Sequence, residues 1–334
     1  MDALEALDRA IYYLDRQFAP REKIRAFRNA RTIVADMGPR ETNARAHSGT
    51  LTEISGIGKS TAAVISDAVH GNVDGYLSDL EQGSVVPVGV GGELREALRG
   101  DCHMHSDWSD GGASLEVMTK TAKALGHDYV VATDHSARLT IAHGLSEERL
   151  LQQLDEVKRL NEQLAPFRVL SGMEVDIFED GSLDLSNEML ERLDIVVASV
   201  HSKLDLPKDR MTRRVITAVA NPNVNILGHM TNRRLSGSGR PPSQLDAEVV
   251  FAACSRFNTA VEINCRPERQ DPPEELLELA VVWDCFISID TDAHAPGQLE
   301  WQAFGCDKAV RCGVDPSRII NTWTADELLA WARP

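Results

Sequence analysis

From residue 100 onward, seven short apolar runs alternate with stretches of helical period, and this alternation limits the possible folds more than any other feature of the chain. The runs lie just after Leu98 and at Tyr129, Val169, Ile195, Val224, Ala260 and Phe286, while helical patterns occupy residues 115–125, 146–164, 209–220, 247–256 and 273–282. Strand-like runs alternating with helices argue for parallel strands joined by crossover helices. Such units can close into a barrel whose functional residues stand at the carboxyl ends of the strands.

Those ends carry a particular set of side chains. His103, His105 and Asp110 lie in CHMHSDWSD, His135 closes YVVATDH, Glu174 closes VLSGME, His201 closes IVVASVH, His229 closes NILGH, and Asp292 and His294 close FISIDTDAH. A lone histidine is more often an ordinary buried or surface residue than a ligand. Here six of the ten histidines sit at strand ends, with only His47, His70, His127 and His143 elsewhere, and packing alone does not produce that distribution. His103 and His105 are two apart, so in a strand they share one face and can grip one cation. Neutral imidazole suits Zn, Mn or Fe, and a carboxylate such as Glu174 can bridge two ions held about 3.5–4 Å apart around a nucleophilic hydroxide.

The region before residue 82 reads as a small helical module. Leu4, Leu7, Ile11 and Leu14 recur at three-to-four spacing, as do Ile24, Phe27, Ala30, Ile33 and Val34. Residues 83–99 read as a linker, because GSVVPVGVGG is glycine-rich and uncharged, although a single edge strand is the other reading. The barrel then occupies 100–334. A formal charge of −16 and a pI near 5.1 argue against a protein that coats nucleic acid over its whole surface. Charge is nonetheless uneven: between residues 21 and 60, eight basic residues face four acidic ones. No apolar stretch approaches the roughly 18 residues of a membrane helix, and the acidic N-terminus is unlike a signal peptide. The six cysteines form no CxxC pair, so the expectation is a cytoplasmic protein with reduced thiols.

In order, HxHSxWSDG, TDHS, GMEVDI, SVHS, GH followed by TxR, EIN and TDAH resemble the PHP (polymerase and histidinol phosphatase) phosphoesterase family, most closely the version carried by bacterial family X DNA polymerases. The resemblance covers residues 100–323. It implies a distorted (β/α)7, TIM-like barrel preceded by an all-α domain, and three divalent ions. His103, His105, Glu174 and Asp292 would hold the first ion, Glu174, His201 and His229 the second, and Asp110, His135 and His294 the third, with Glu174 and His201 also placed as catalytic. Arg233 and Arg269 match family arginines that could grip a phosphate, the other reading being solvated loop charges. The chain departs from the family pattern at Met230 and Asn232, where proline and glycine are usual. Asp134, beside His135, is a candidate to orient it. Gly237 and Ser238 read as a flexible lip.

ISGIGKSTAAVI, residues 54–65, resembles a helix-hairpin-helix, in which backbone amides at a helix start meet a nucleic-acid phosphate; Gly56, Gly58 and Lys59 would make that contact. It is not a P-loop, because Glu53 stands where a further glycine is needed. The module is similar to the N-terminal 8 kDa domain of family X polymerases, but Val64 stands in place of the lyase lysine, so it should bind without cutting. The polymerase domain itself is missing between module and barrel. Two functions follow from the resemblance. One is DNA 3′-end processing in repair, as a 3′-5′ exonuclease or 3′-phosphatase, with DNA held by the helical module. The alternative is a small-metabolite phosphatase of the histidinol-phosphatase type.

Overall fold

The structure is a computed structural model that describes every residue except 73, 74, 238 and 334, so Ser238 of the expected lip lies outside the described residues. The chain divides into two compact units, Met1–Val86 with Pro296–Gln298, and Pro87–Ala295 with Leu299–Pro334.

The first unit is helical. Ala3–Arg16 starts where the Asp2 side chain accepts the Glu5 N–H at 2.9 Å, a cap for an otherwise orphaned amide. The periodic leucines face inward: Leu7 and Leu14 are fully buried, whereas Leu4 and Ile11 pack at the margin. The next helix, Arg21–Ser48, breaks at Gly38, whose φ of 76° and ψ of 165° leave the helical region, and Pro39 has no N–H with which to continue the ladder. A single 3-10 turn, Leu51–Glu53, leads through the glycine turn into Lys59–His70, and Tyr76–Gly83 follows. Phe27, Ala30, Val34, Val64 and Ile65 complete the buried core. Within 83–99, Gly92–Ala97 is a short helix, and none of these residues forms a strand.

The second unit is built on seven parallel strands: β1 (Gly100–Met104), β2 (Tyr129–Ala132), β3 (Arg168–Asp176), β4 (Ile195–Ser199), β5 (Ile226–Leu227), β6 (Ala260–Asn264) and β7 (Ile287–Asp290). They pair in sequence order, and registers such as Glu174 opposite Val197 run without a break along β3 and β4. The barrel nearly closes. Met104 bridges Ala293, the His105 N–H donates to the Ala293 carbonyl at 2.7 Å, and the Cys102 N–H donates to Asp290 Oδ1 at 2.8 Å. Helices cover the outside, which leaves both strand faces buried and explains why the strands read as continuous apolar runs.

Between β3 and β4 the crossover shrinks to one turn, Asn187–Leu190, so the barrel is distorted. Met104, Val130, Ala132 and Val169 pack against Leu115–Ala124 and Glu147–Leu164. Cys102, Val131, Val197 and Ile226 pack with the C-terminal helix Ala325–Ala332. All six cysteines are buried and free. Among the described residues, no helix is long and apolar enough to cross a membrane.

Candidate metal centre

Each candidate ligand stands at or just past the carboxyl end of a strand, and all nine converge. The centre is organised by Glu174, 1% exposed, on β3. Its Oε2 lies 2.9 Å from His135 Nδ1, 3.3 Å from His103 Nε2 and 3.5 Å from His105 Nε2. Its Oε1 lies 2.8 Å from His229 Nε2 and 3.2 Å from His201 Nε2. The two oxygens therefore face different groups of imidazoles. Asp292 Oδ1 is 3.3 Å from His105 Nε2, and Asp110 Oδ1 is 3.3 Å from His294 Nε2 and 3.6 Å from His135 Nε2. His103 and His105 point to one face as their spacing requires, their Nε2 atoms 3.2 Å apart.

Three groups present ligand atoms close enough for one ion each: His105, Asp110, His135 and His294; His103, His105 and Glu174; and His135, Glu174 and His201. These groupings place His135 between two sites and His105 between two sites, a finer sharing than the sequence indicates.

The charge balance fits cations. Burial alone would raise the Glu174 and Asp292 carboxyls, but the surrounding histidines, with Arg266 for Asp292, outweigh it and hold both well below the usual carboxylate range. Burial alone would lower His201, but Glu174 and Asp176 outweigh it and push it up to about 9. The same contest with Glu262 and Glu174 raises His103, whereas burial and the neighbouring histidines lower His105. Anionic carboxylates thus draw positive charge into a buried site, and bound divalent ions would supply it in place of protons. His135 Nδ1 and His201 Nε2 face Glu174 yet make no hydrogen bond, as nitrogens directed at a shared cation would.

A surrounding layer holds the candidate ligands, and its contacts cannot be read from sequence. Glu262 on β6, fully buried, accepts from His103 Nδ1 at 2.5 Å and from the His229 N–H at 2.5 Å, tying a β1 ligand to a β5 ligand. Asp176 accepts the His201 N–H at 3.1 Å. Arg214, 1% exposed, donates to the Ser202 and Ile177 carbonyls and so clamps the loops after β3 and β4. Asp134 does not orient His135 as its adjacency suggests. It accepts instead from the backbone and side chains of Ser106 and Ser109 and from Gln153, because a side chain one residue from an inward-facing ligand points the other way. It fixes the turn that carries Asp110.

The arginines separate. Arg233 donates from Nε to the Arg269 carbonyl at 2.9 Å and from Nη2 to the Gln270 carbonyl, so its guanidinium braces a loop. Arg269 stays beside the centre, its Nε 3.6 Å from Asp292 Oδ2. Arg266, unremarked in sequence, donates to the Asp292 carbonyl at 2.7 Å and lies 2.9 Å from His294 Nδ1.

In the helical unit, Gly56 adopts φ +93°, and a Cβ there would lie 2.6 Å from Asn29 Nδ2 and Ile33 Cδ1. Gly58 caps Lys59–His70, but its N–H donates to Thr61 Oγ1 at 2.9 Å, which removes that amide from the expected phosphate contact. Lys59 is exposed at the helix start. Arg28 and Arg31 pair with Asp15 at 3.3 Å and Asp8 at 2.6 Å.

A seven-stranded parallel barrel with a histidine and carboxylate cluster at its carboxyl mouth defines the architecture, and residues 101–265 match the PHP domain. The chain belongs to the PHP family. It is 35% identical over 236 residues to the DNA polymerase/3′-5′ exonuclease PolX of Bacillus subtilis, covering 71% of this chain and 41% of that protein. It is 33% identical to a probable phosphatase of Thermoanaerobacter sp. (strain X514), covering 49% of this chain and 63% of the relative. Identity to a probable phosphatase of Caldicellulosiruptor saccharolyticus is 31%, covering 54% of this chain and 73% of the relative. The chain thus spans under two thirds of the first two relatives. Among solved structures it is similar to a histidinol phosphate phosphatase from Lactococcus lactis complexed with zinc, L-histidinol and phosphate, with a TM-score of 0.46, 17% identity and coverage of 65% of this chain and 94% of that one.

Proposed function

We propose that this chain is a metal-dependent phosphoester hydrolase that processes DNA 3′ ends, by exonuclease or 3′-phosphatase action. The observation that carries the hydrolase reading is Glu174, a buried carboxylate whose two oxygens face two separate sets of imidazoles, the disposition of a bridging ligand. His103, His105, Glu174 and Asp292 would hold one ion, His201 and His229 with Glu174 a second, and Asp110, His135 and His294 a third. The ions, Zn, Mn or Fe, would polarise the phosphoryl oxygens and lower the pKa of a water. The protein's own part is orientation: Glu262 fixes two imidazoles, Asp176 seats His201, and Arg269 adds positive charge beside the centre.

DNA as substrate is supported by the glycine turn that precedes Lys59–His70, and by likeness to a protein named for 3′-5′ exonuclease activity. With Arg28 and Arg31 engaged in ion pairs, the grip rests on Lys59 and on the free amides of the first helical turn. Buried free thiols are in keeping with a reducing, cytoplasmic setting.

The test is hydrolysis by the manganese-loaded protein of a 5′-labelled DNA strand, with and without a 3′-phosphate, against histidinol phosphate. The expected result is shortening or 3′-dephosphorylation of DNA that His105→Ala abolishes without loss of the folded state. Phosphate release from histidinol phosphate alone would overturn the DNA reading, and full activity in His105→Ala would overturn the centre.

A further inference from the structure

The loop after β5 holds a residue whose conformation calls for an explanation. Asn232 has φ +55°, in the left-handed region where glycine is at home, and is 3% exposed. All three of its polar backbone and side-chain links lead to the same place. Its N–H donates to the carbonyl of His229, its own carbonyl accepts from Arg240 Nε at 2.8 Å, and its Oδ1 accepts from Arg269 Nη1 at 3.4 Å. One buried residue therefore gathers two arginines beside a candidate ligand of the metal centre, Arg240 through its backbone carbonyl and Arg269 through its side chain. Arg240 is fixed further by paired backbone hydrogen bonds with Arg234, 2.9 Å in each direction.

This positive group is only partly matched by anions, Arg269 having Asp292 at 3.6 Å. Among the described residues, no carboxylate forms an ion pair with Arg240 or Arg234. The carboxylates close by are engaged: Asp271 accepts from Thr231 and the Arg233 N–H, Glu268 pairs with Arg266, and Asp292 faces His105, Arg266 and Arg269. Partial burial, followed by the charges of Arg269 and Arg234, holds the Arg240 guanidinium below its ordinary pKa. Arginines set together in excess of their carboxylate partners favour a multivalent oxyanion, which each planar guanidinium can meet with paired N–H groups.

We propose that Arg240 and Arg269, aligned on Asn232, form a subsite for a second phosphate of the substrate, adjoining the one at the metal centre. The subsite would make a phosphodiester chain, with its regularly repeated phosphates, a better substrate than an isolated phosphomonoester. The inference rests on the reading of the centre as a phosphoesterase.

The experiment compares kcat/KM for a thymidine dinucleotide bearing a 3′-phosphate with that for thymidine 3′-phosphate, in the wild type, Arg240→Gln and Asn232→Gly. Glycine suits the backbone at position 232, so Asn232→Gly folds while losing the Oδ1 acceptor. The wild type should prefer the dinucleotide, and both variants should cut that preference about tenfold, in line with loss of a charged phosphate contact. A preference that survives Arg240→Gln, or its absence in the wild type, would overturn the subsite. If the wild type cleaved neither compound, the phosphoesterase reading would fail separately. Equilibrium binding of the same dinucleotide would then decide the subsite: about tenfold weaker binding in Arg240→Gln supports it, and equal binding refutes it.

Discussion

Glu262 makes no direct claim on an ion, yet both of its oxygens are spent on ligands, one on the His103 ring and one on the His229 backbone. Fixing the Nδ1 proton of His103 sets the tautomer that leaves Nε2 free for a cation. Glu262→Gln should therefore weaken metal retention by about 10- to 100-fold, the usual size of such outer contacts, as read by competition with a chelator. Unchanged retention would reduce Glu262 to packing. The ligands themselves are legible in sequence because each terminates an apolar run. The roles of Glu262, which lies in the EIN motif, and of Arg214 and Arg266 are not, since their partners lie on other strands and loops, and nothing local marks a buried side chain's hydrogen bonds.

Asp15 gives a second residue-scale prediction. Burial pushes its carboxyl up to about 6 despite the nearby Arg28 charge, above the unfolded value of about 3.9. A raised carboxyl releases its proton less readily when folded, so ionisation between about pH 4 and pH 6 destabilises the fold, by at most about 3 kcal/mol once complete. Asp15→Asn should raise the urea midpoint at pH 7.5, with the gain shrinking as pH falls through about 6 and approaching zero below about pH 4. A gain independent of pH would contradict this origin.

At the scale of elements, the seven strands, two to nine residues long, follow from apolar runs that alternate with helical stretches, and the sequence places them closely. Two features were hidden. The break at Gly38 lies inside a stretch whose core face, Phe27, Ala30 and Val34, continues the helical period up to it. The one-turn crossover before β4 leaves no periodic pattern to detect. The glycine turn ahead of Lys59–His70 depends on Gly56, whose φ of +93° side-chain-bearing residues rarely adopt. Gly56→Ala should lower stability by about 1–3 kcal/mol through strain and overpacking, measurable as a drop in the urea midpoint. Stability equal to the wild type would mean that the turn readily rearranges. Lys59→Ala should lower the ratio of DNA turnover to generic phosphomonoester turnover, whereas equal losses on both would count against a separate grip on the strand.

For the molecule as a whole, a chain of charge −16 approaches a polyanion only where local cations prevail. The barrel mouth is such a place, with imidazoles and arginines grouped about a few carboxylates, and the composition alone conceals it. On the proposed function, those imidazoles and carboxylates form a multi-ion centre. Elemental analysis of the metal-loaded, desalted protein tests this most directly, set beside Glu174→Gln. Three groups of ligand atoms predict close to three divalent ions per chain, with loss of more than one when the shared carboxylate is removed. One ion or none in the wild type, or an unchanged count in Glu174→Gln, would contradict it.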